Sequence, residues 1–174
     1  MTLNYRLATA SDAARLSEMG SACFIETFEG FYPPADLYAG AWELFDAAVY
    51  DSQIEGGVYS VILAEDGEDI AGFAKVGPMS LPVPAEATAT ELKQLYVGTR
   101  WWGTGVAAAL MESVLGQARE QERTSVYLSV YAKNDRAIAF YKRCGFVIVG
   151  EAPFTVGSQI DIDPVMRLDL GERV

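Results

Sequence analysis

The residues best placed to do chemistry lie in one run: Glu91-Leu-Lys-Gln-Leu-Tyr-Val97, then Gly98-Thr-Arg100-Trp-Trp-Gly103-Thr-Gly105-Val106. An apolar strand enters a glycine-rich turn, and the turn opens into a helix. Such a turn aims backbone N–H groups and the positive end of a helix dipole at one spot, which suits phosphate. A nucleotide-like ligand carrying a pyrophosphate is therefore expected. A P-loop would close on Gly-Lys-Ser/Thr, but Val106 follows Gly105, so that reading fails. A dinucleotide site is formally matched by Gly103-x-Gly105-x-x-Ala108. The next strand, however, ends Leu128-Ser-Val-Tyr131, without the carboxylate that would hold a ribose. The chain has no histidine. Ser-His-Asp and Cys-His nucleophiles, His-ligated zinc and imidazole acid–base chemistry are thereby excluded. Proton transfer falls to carboxylate, Tyr, Lys, Cys, backbone or water.

These residues need a scaffold, and the chain is long enough to build one. Its 174 residues, 51% of them apolar, fit a single domain over 1–174 with a sizeable core. Residues 4–8 read as a first strand, and Ser11-Asp12 cap a helix bearing Ala14, Leu16, Met19, Cys23 and Phe24. Residues 28–34 form an aromatic loop ending in two prolines. A second helix is expected over 35–50, with Leu37, Ala41, Leu44, Phe45 and Ala48 on one side, then a turn at 53–57. Strands at 58–64 and 70–76 make a hairpin around Asp66-Gly67. After a proline-bearing loop come a strand at 90–97, the glycine turn and a helix at 103–120. Val106, Leu110 and Val114 form one row of that helix, and Ala107, Met111, Leu115 and Ala118 the next. A strand at 125–131 follows, then a short helix capped by Asn134 and closed at Gly145, and last strands at 146–150 and 164–170. The order β-α-α-β-β-β-α-β-α-β-β is that of a mixed α/β domain.

Composition narrows the partners. No apolar run reaches the roughly 18 residues a membrane span needs, and the N-terminal residues show no signal peptide. Cys23 and Cys144 are too few and too distant for a disulfide framework, so a cytoplasmic location is expected. With 13 Lys and Arg against 24 Asp and Glu, the net charge is −11, which repels nucleic acid and attracts a polycationic small molecule. Acidic surfaces also simply aid solubility.

Two further observations point to a family. Arg100-x-x-Gly103-x-Gly105 resembles the Q/R-x-x-G-x-G/A signature of the GNAT superfamily of acyl-CoA-dependent N-acyltransferases. Downstream, Asn134-Asp-Arg-Ala137-Ile-Ala-Phe140-Tyr141-Lys-Arg-Cys-Gly145-Phe146 is similar to its second signature, N-x-x-A-x-x-F-Y-x-x-x-G-F. The two occur in the family's order on its strand-helix-strand-helix frame. The segment Glu26-Thr27-Phe28, the residues Leu37, Tyr38 and Phe45, and the C-terminal strand sequence look more loosely like the bacterial spermidine/spermine acetyltransferase branch. Departures are Gly98-Thr99, where the family often has Pro, and Trp101-Trp102, where it usually has small or basic residues. The indoles could pack on the cofactor or wedge the loop onto the core.

The resemblance implies a mostly antiparallel sheet whose two parallel central strands splay apart. It also implies direct transfer of an acetyl group from acetyl-CoA, as co-substrate and without a metal, to an amine. Leu95, Tyr96 and Val97 would offer backbone contacts to the pantetheine arm. Amides of Trp102, Gly103, Thr104, Gly105 and Val106 would hold the pyrophosphate, helped by Arg100 and the Thr104 hydroxyl. Asn134 would also touch CoA, and Arg143 is a weaker candidate for a CoA phosphate. Glu91 is the candidate base, directly or through water. Ser129 stands where some family members place a carboxylate, which removes that option. Tyr141 is the candidate acid for the leaving thiolate, and Phe28, Phe31 and Tyr32 would line the acceptor mouth, with Phe28 and Tyr32 the chosen contacts. The acceptor is expected to be a small-molecule primary amine such as a polyamine, and the chain a monomer or homodimer with no nucleic acid or membrane partner. A peptide N-terminus or lysine as acceptor remains open, as does a non-catalytic acyl-CoA-binding sensor.

Overall fold

The computed structural model describes residues 3–171. Residues 1, 2 and 172–174, which the sequence reading included in the domain and, at the start, in the stretch expected to show no signal peptide, lie outside them. Seven strands form one sheet in the order β1-β2-β3-β4-β5-β7-β6. They are β1 (Asn4–Leu7), β2 (Ser60–Asp66), β3 (Asp69–Gly77), β4 (Ala89–Val97), β5 (Ser125–Ser129), β6 (Val147–Val156) and β7 (Gln159–Asp169). Five α-helices accompany them among the described residues: α1 (Ala13–Phe28), α2 (Pro34–Leu44), α3 (Ala47–Glu55), α4 (Val106–Glu120) and α5 (Asp135–Arg143).

Every neighbouring pair is antiparallel except β4 with β5. That pair runs parallel and meets only at Ala89↔Ser125, Thr90↔Val126 and Glu91↔Tyr127. Beyond Glu91 the two strands part, which is the splay the sequence reading anticipated. On one face, Val106, Leu110, Met111 and Val114 of α4 pack on Ile62, Ala64, Val126 and Leu128. On the other, Phe24 and Phe28 of α1, Tyr50 of α3 and Phe45 between α2 and α3 pack on Val61, Leu63 and Phe73. Helices on both faces explain why β2 and β3 are near-continuous apolar runs.

Three features differ from the sequence reading. The helix expected over 35–50 is two helices. Phe45 leaves helical geometry (φ −122°, ψ 27°) and Asp46 caps a new start by accepting from the Ala48 amide at 2.8 Å, so α3 absorbs most of the expected turn at 53–57. Phe45 is 1% exposed and packs against α1 where Gly20 has no side chain, and a Cβ there would collide with its ring. The helix expected from 103 begins at Val106, because Gly103 and Gly105 hold φ of +75° and +94°. The strands at 146–150 and 164–170 are parts of one long hairpin, β6–β7, paired from Val147↔Arg167 to Val156↔Gln159.

Candidate active site

The parting of β4 and β5 opens a cavity of about 450 Å³. Its walls come from β4 (92–97), the turn and start of α4 (Trp101, Trp102, Gly103, Gly105–Ala108), residues 129–131 after the splay, α5 and the end of α1. β3 pairs one edge of β4 as far as Val97, whereas on the β5 side nothing pairs beyond Glu91. Leu95, Tyr96 and Val97 therefore present a free strand edge to an extended ligand. Trp102 Nε1 donates to the Val97 carbonyl at 2.8 Å and so already uses one of the strand's last acceptors.

The turn works through a subset of its expected amides. The Trp102 amide donates to the Thr99 carbonyl (3.2 Å) and the Thr104 amide to the Trp101 carbonyl (3.3 Å). These two are spent on the turn itself. The amides of Gly103 and Gly105 have no backbone partner among the described residues, and Val106 starts α4, where the first N–H groups lack intrahelical acceptors. Gly103, Gly105 and Val106 all line the cavity, and this is the arrangement that takes an anion.

The positive charges there are not those the motif suggests. Arg100 points away: its side chain is 69% exposed, ion-paired with Asp69 at 3.2 Å and 4.9 Å from the Trp101 ring. The Thr104 hydroxyl donates to the Trp101 carbonyl at 2.6 Å, and Thr104 is not on the cavity wall. Lys93, Arg136 and Arg143 line the wall instead. Arg136 stacks 3.5 Å from the centre of the Trp102 ring at the mouth. Sequence reasoning missed Arg136, whose signal was its place in the first turn of a helix that opens on the cavity. The tryptophan pair also separates into two roles. Trp101 packs on the α4-side core and donates to Asp66 at 2.9 Å, while Trp102 stands half-exposed at the mouth. Asn134 lines the cavity and caps α5, its Oδ1 accepting from the Ala137 amide at 3.1 Å.

Tyr141 reaches the cavity from α5 and is 9% exposed. Burial, and next Cys144, push its hydroxyl above the ordinary phenol range, so it stays protonated and able to donate. Tyr96 faces the same space, with its hydroxyl pushed up by burial and then by Tyr141. Glu91 is not on the wall. Its Oε2 accepts from the Ser80 amide (2.7 Å) and hydroxyl (3.2 Å) and pairs with Lys93 at 2.8 Å. The carboxylate thus sits behind Lys93, 6% exposed, rather than beside the cavity.

The side expected to receive the acceptor is aromatic. Phe28 lines the cavity and meets Tyr131 edge-on, ring centres 5.2 Å apart. Phe31, 49% exposed, meets the same ring at 5.7 Å. Tyr32 is behind them, off the wall, donating to Asp161 at 2.6 Å. The Tyr131 hydroxyl is sealed from solvent without a hydrogen-bond partner among the described residues. Cys23 and Glu26 of α1 complete this side. Burial, and then Glu26, push the Cys23 thiol up to about 11, which keeps it protonated and poorly nucleophilic. A free strand edge, unbonded amides at a helix start, three cations and a buried phenol fit an extended, amide-bearing arm that ends in a diphosphate.

Comparison with known proteins gives the same direction. Residues 22–146 match the model of the acetyltransferase (GNAT) family. An uncharacterized N-acetyltransferase of Mycobacterium tuberculosis is 34% identical over 111 residues, covering 64% of this chain and 67% of that protein. N-acetyltransferase 8B of Rattus norvegicus is 33% identical over 89 residues, 51% of this chain but 40% of that protein. Among solved structures, the PaiA N-acetyltransferase of Thermoplasma acidophilum in complex with coenzyme A superposes with a TM-score of 0.81 at 18% identity, covering 97% of this chain and 99% of that one. The Salmonella typhimurium protein yncA, solved with acetyl-CoA, gives 0.72 at 19% identity over 100% and 97%.

Proposed function

The chain belongs to the GNAT family of acetyltransferases, and on that premise we propose that it moves the acetyl group of acetyl-CoA directly to the primary amine of a small cationic molecule such as a polyamine. The observation that carries this reading is the cavity at the β4–β5 splay, with the unbonded amides of Gly103 and Gly105 at one end and the Tyr141 phenol on its wall. Acetyl-CoA supplies the activated acyl group as a thioester. Leu95, Tyr96 and Val97 align the arm along the strand edge, and a free N–H there polarises the thioester carbonyl. Gly103, Gly105 and Val106, with Arg136 and Arg143, hold the diphosphate end. Tyr141 gives its proton to the sulfur as the C–S bond breaks and the amine nitrogen bonds to the acetyl carbon. The amine loses a proton in the same sequence. Glu91 takes it through a water passing Lys93, since its carboxylate stands one residue back from the wall.

The net charge of −11 and the aromatic acceptor side support a cationic acceptor. Among the described residues no helix is long and apolar enough to cross a membrane; separately, the free state of Cys23 and Cys144 supports action in the reducing cytoplasm. The test is thiol release from acetyl-CoA with and without a panel of diamines, monoamines and peptides. Amine-dependent release that is greatest with diamines meets the proposal. Saturable CoA binding without release on any amine identifies a sensor instead.

A further inference from the structure

We infer that Glu26 is the acceptor-binding residue of this cavity, the carboxylate against which the ammonium of the incoming amine is held. The inference rests on the acetyltransferase reading of the cavity but gives a role to a group outside both main signatures, at 100–105 and 134–146. Glu26 is the one carboxylate among the residues that line it. The other charges on the wall are Lys93, Arg136 and Arg143, and a cationic acceptor entering among them meets repulsion unless an anion faces it. Two of those cations are occupied, Lys93 by Glu91 (2.8 Å) and Arg136 by the Trp102 ring (3.5 Å).

Glu26 has no such occupation. It makes no hydrogen bond or ion pair among the described residues. It lies on the last turns of α1, beside Thr27 and Phe28, on the acceptor side of the cavity and opposite the diphosphate end. Its field reaches the buried Cys23 thiol one turn back. Exposed on the α1 side of the cavity, this carboxylate is open to a charge-assisted hydrogen bond from an incoming ammonium. The rings of Phe28 and Tyr131, which line the same cavity, suit the alkyl part of an aliphatic amine.

The experiment uses the full chain with CoA bound and titrates 1,4-diaminobutane calorimetrically into wild type, Glu26→Gln and Glu18→Gln. Glu18 is an exposed residue of the same helix and removes the same charge away from the cavity. Glu26→Gln is expected to weaken diamine binding by about tenfold or more and to raise the amine KM to match, with CoA affinity changed by less than about twofold. Glu18→Gln is expected to bind diamine like wild type. Equal diamine affinity in wild type and Glu26→Gln overturns the assignment, and so does an equal loss in both variants, which would reduce Glu26 to general surface charge. Failure of wild type to bind diamine also overturns it. Failure of wild type to bind CoA instead strikes the acetyltransferase reading, and diamine titration of the CoA-free protein then still reads Glu26 by the same comparison.

Discussion

In the proposed reaction Tyr141 carries the most chemistry of any single residue, and its buried, protonated hydroxyl is suited to donating rather than accepting. Replacing it with Phe is expected to lower kcat on the order of 10²-fold while CoA affinity holds, read by thiol-release kinetics beside CoA calorimetry. Tyr131 makes the opposite case. Its hydroxyl is buried without a partner, so Tyr131→Phe is expected to raise unfolding stability by about 1 kcal/mol in a urea titration. Residue roles were legible in the sequence where local geometry fixes them. Asn134 caps its helix and Tyr141 faces the cavity because both lie within one short helix of regular spacing. They were illegible where a neighbour outside the motif decides. Arg100 turns to Asp69 on the β2–β3 hairpin, and Glu91 turns to Ser80 in the loop before β4. Neither partner is part of any motif. Arg136 and Glu26 reach the cavity through the packing of α5 and α1, which spacing along the chain does not reveal.

At the scale of elements, the site depends on the turn between β4 and α4. Gly105 sits at φ +94° with open space around an added Cβ, so its need is conformational and not steric crowding. Gly105→Ala is expected to cost roughly 1–2 kcal/mol of stability and to weaken CoA binding together with it, measured by urea unfolding and calorimetry. The glycine turn was readable because it has a local signature, whereas the parallel strand pair came from the family resemblance and the helix start was placed three residues early. The β6–β7 hairpin was not, for a physical reason in its own sequence. Ile160 and Ile162 point outward, 63% and 54% exposed, while Asp163 points inward at 3%. This inversion of the usual alternation hides a strand from a pattern that expects apolar residues inside. The buried Asp163 is satisfied by the Ala132 amide at 2.9 Å, and it ties the hairpin to the loop that carries Tyr131. The break between α2 and α3 was hidden likewise, since Phe45 continues the apolar spacing but follows the core instead of the helix.

The whole molecule is held at its N-terminal edge by an ion network. Arg6 pairs with Asp12 and with Glu65, each at 2.7 Å, joining β1, the start of α1 and β2. The Arg6 guanidinium holds the Asp12 carboxyl well below the usual carboxylate range. A depressed folded-state value means that this contribution is complete above the unfolded value of about 4 and is lost as pH falls through the folded one. Asp12→Asn is accordingly expected to lose about 1–3 kcal/mol at pH 7 and less as the pH drops below about 4, followed by thermal or urea unfolding across pH. The proposed function occupies one place in the molecule, a wedge between two strands with a glycine turn at its end. The most direct test is a map of backbone amide NMR shifts on titrating CoA into the full chain. The account predicts saturable changes concentrated at residues 92–97 and at Gly103, Gly105 and Val106. Saturable changes elsewhere, or none at CoA concentrations well above those typical for a co-substrate, would contradict it.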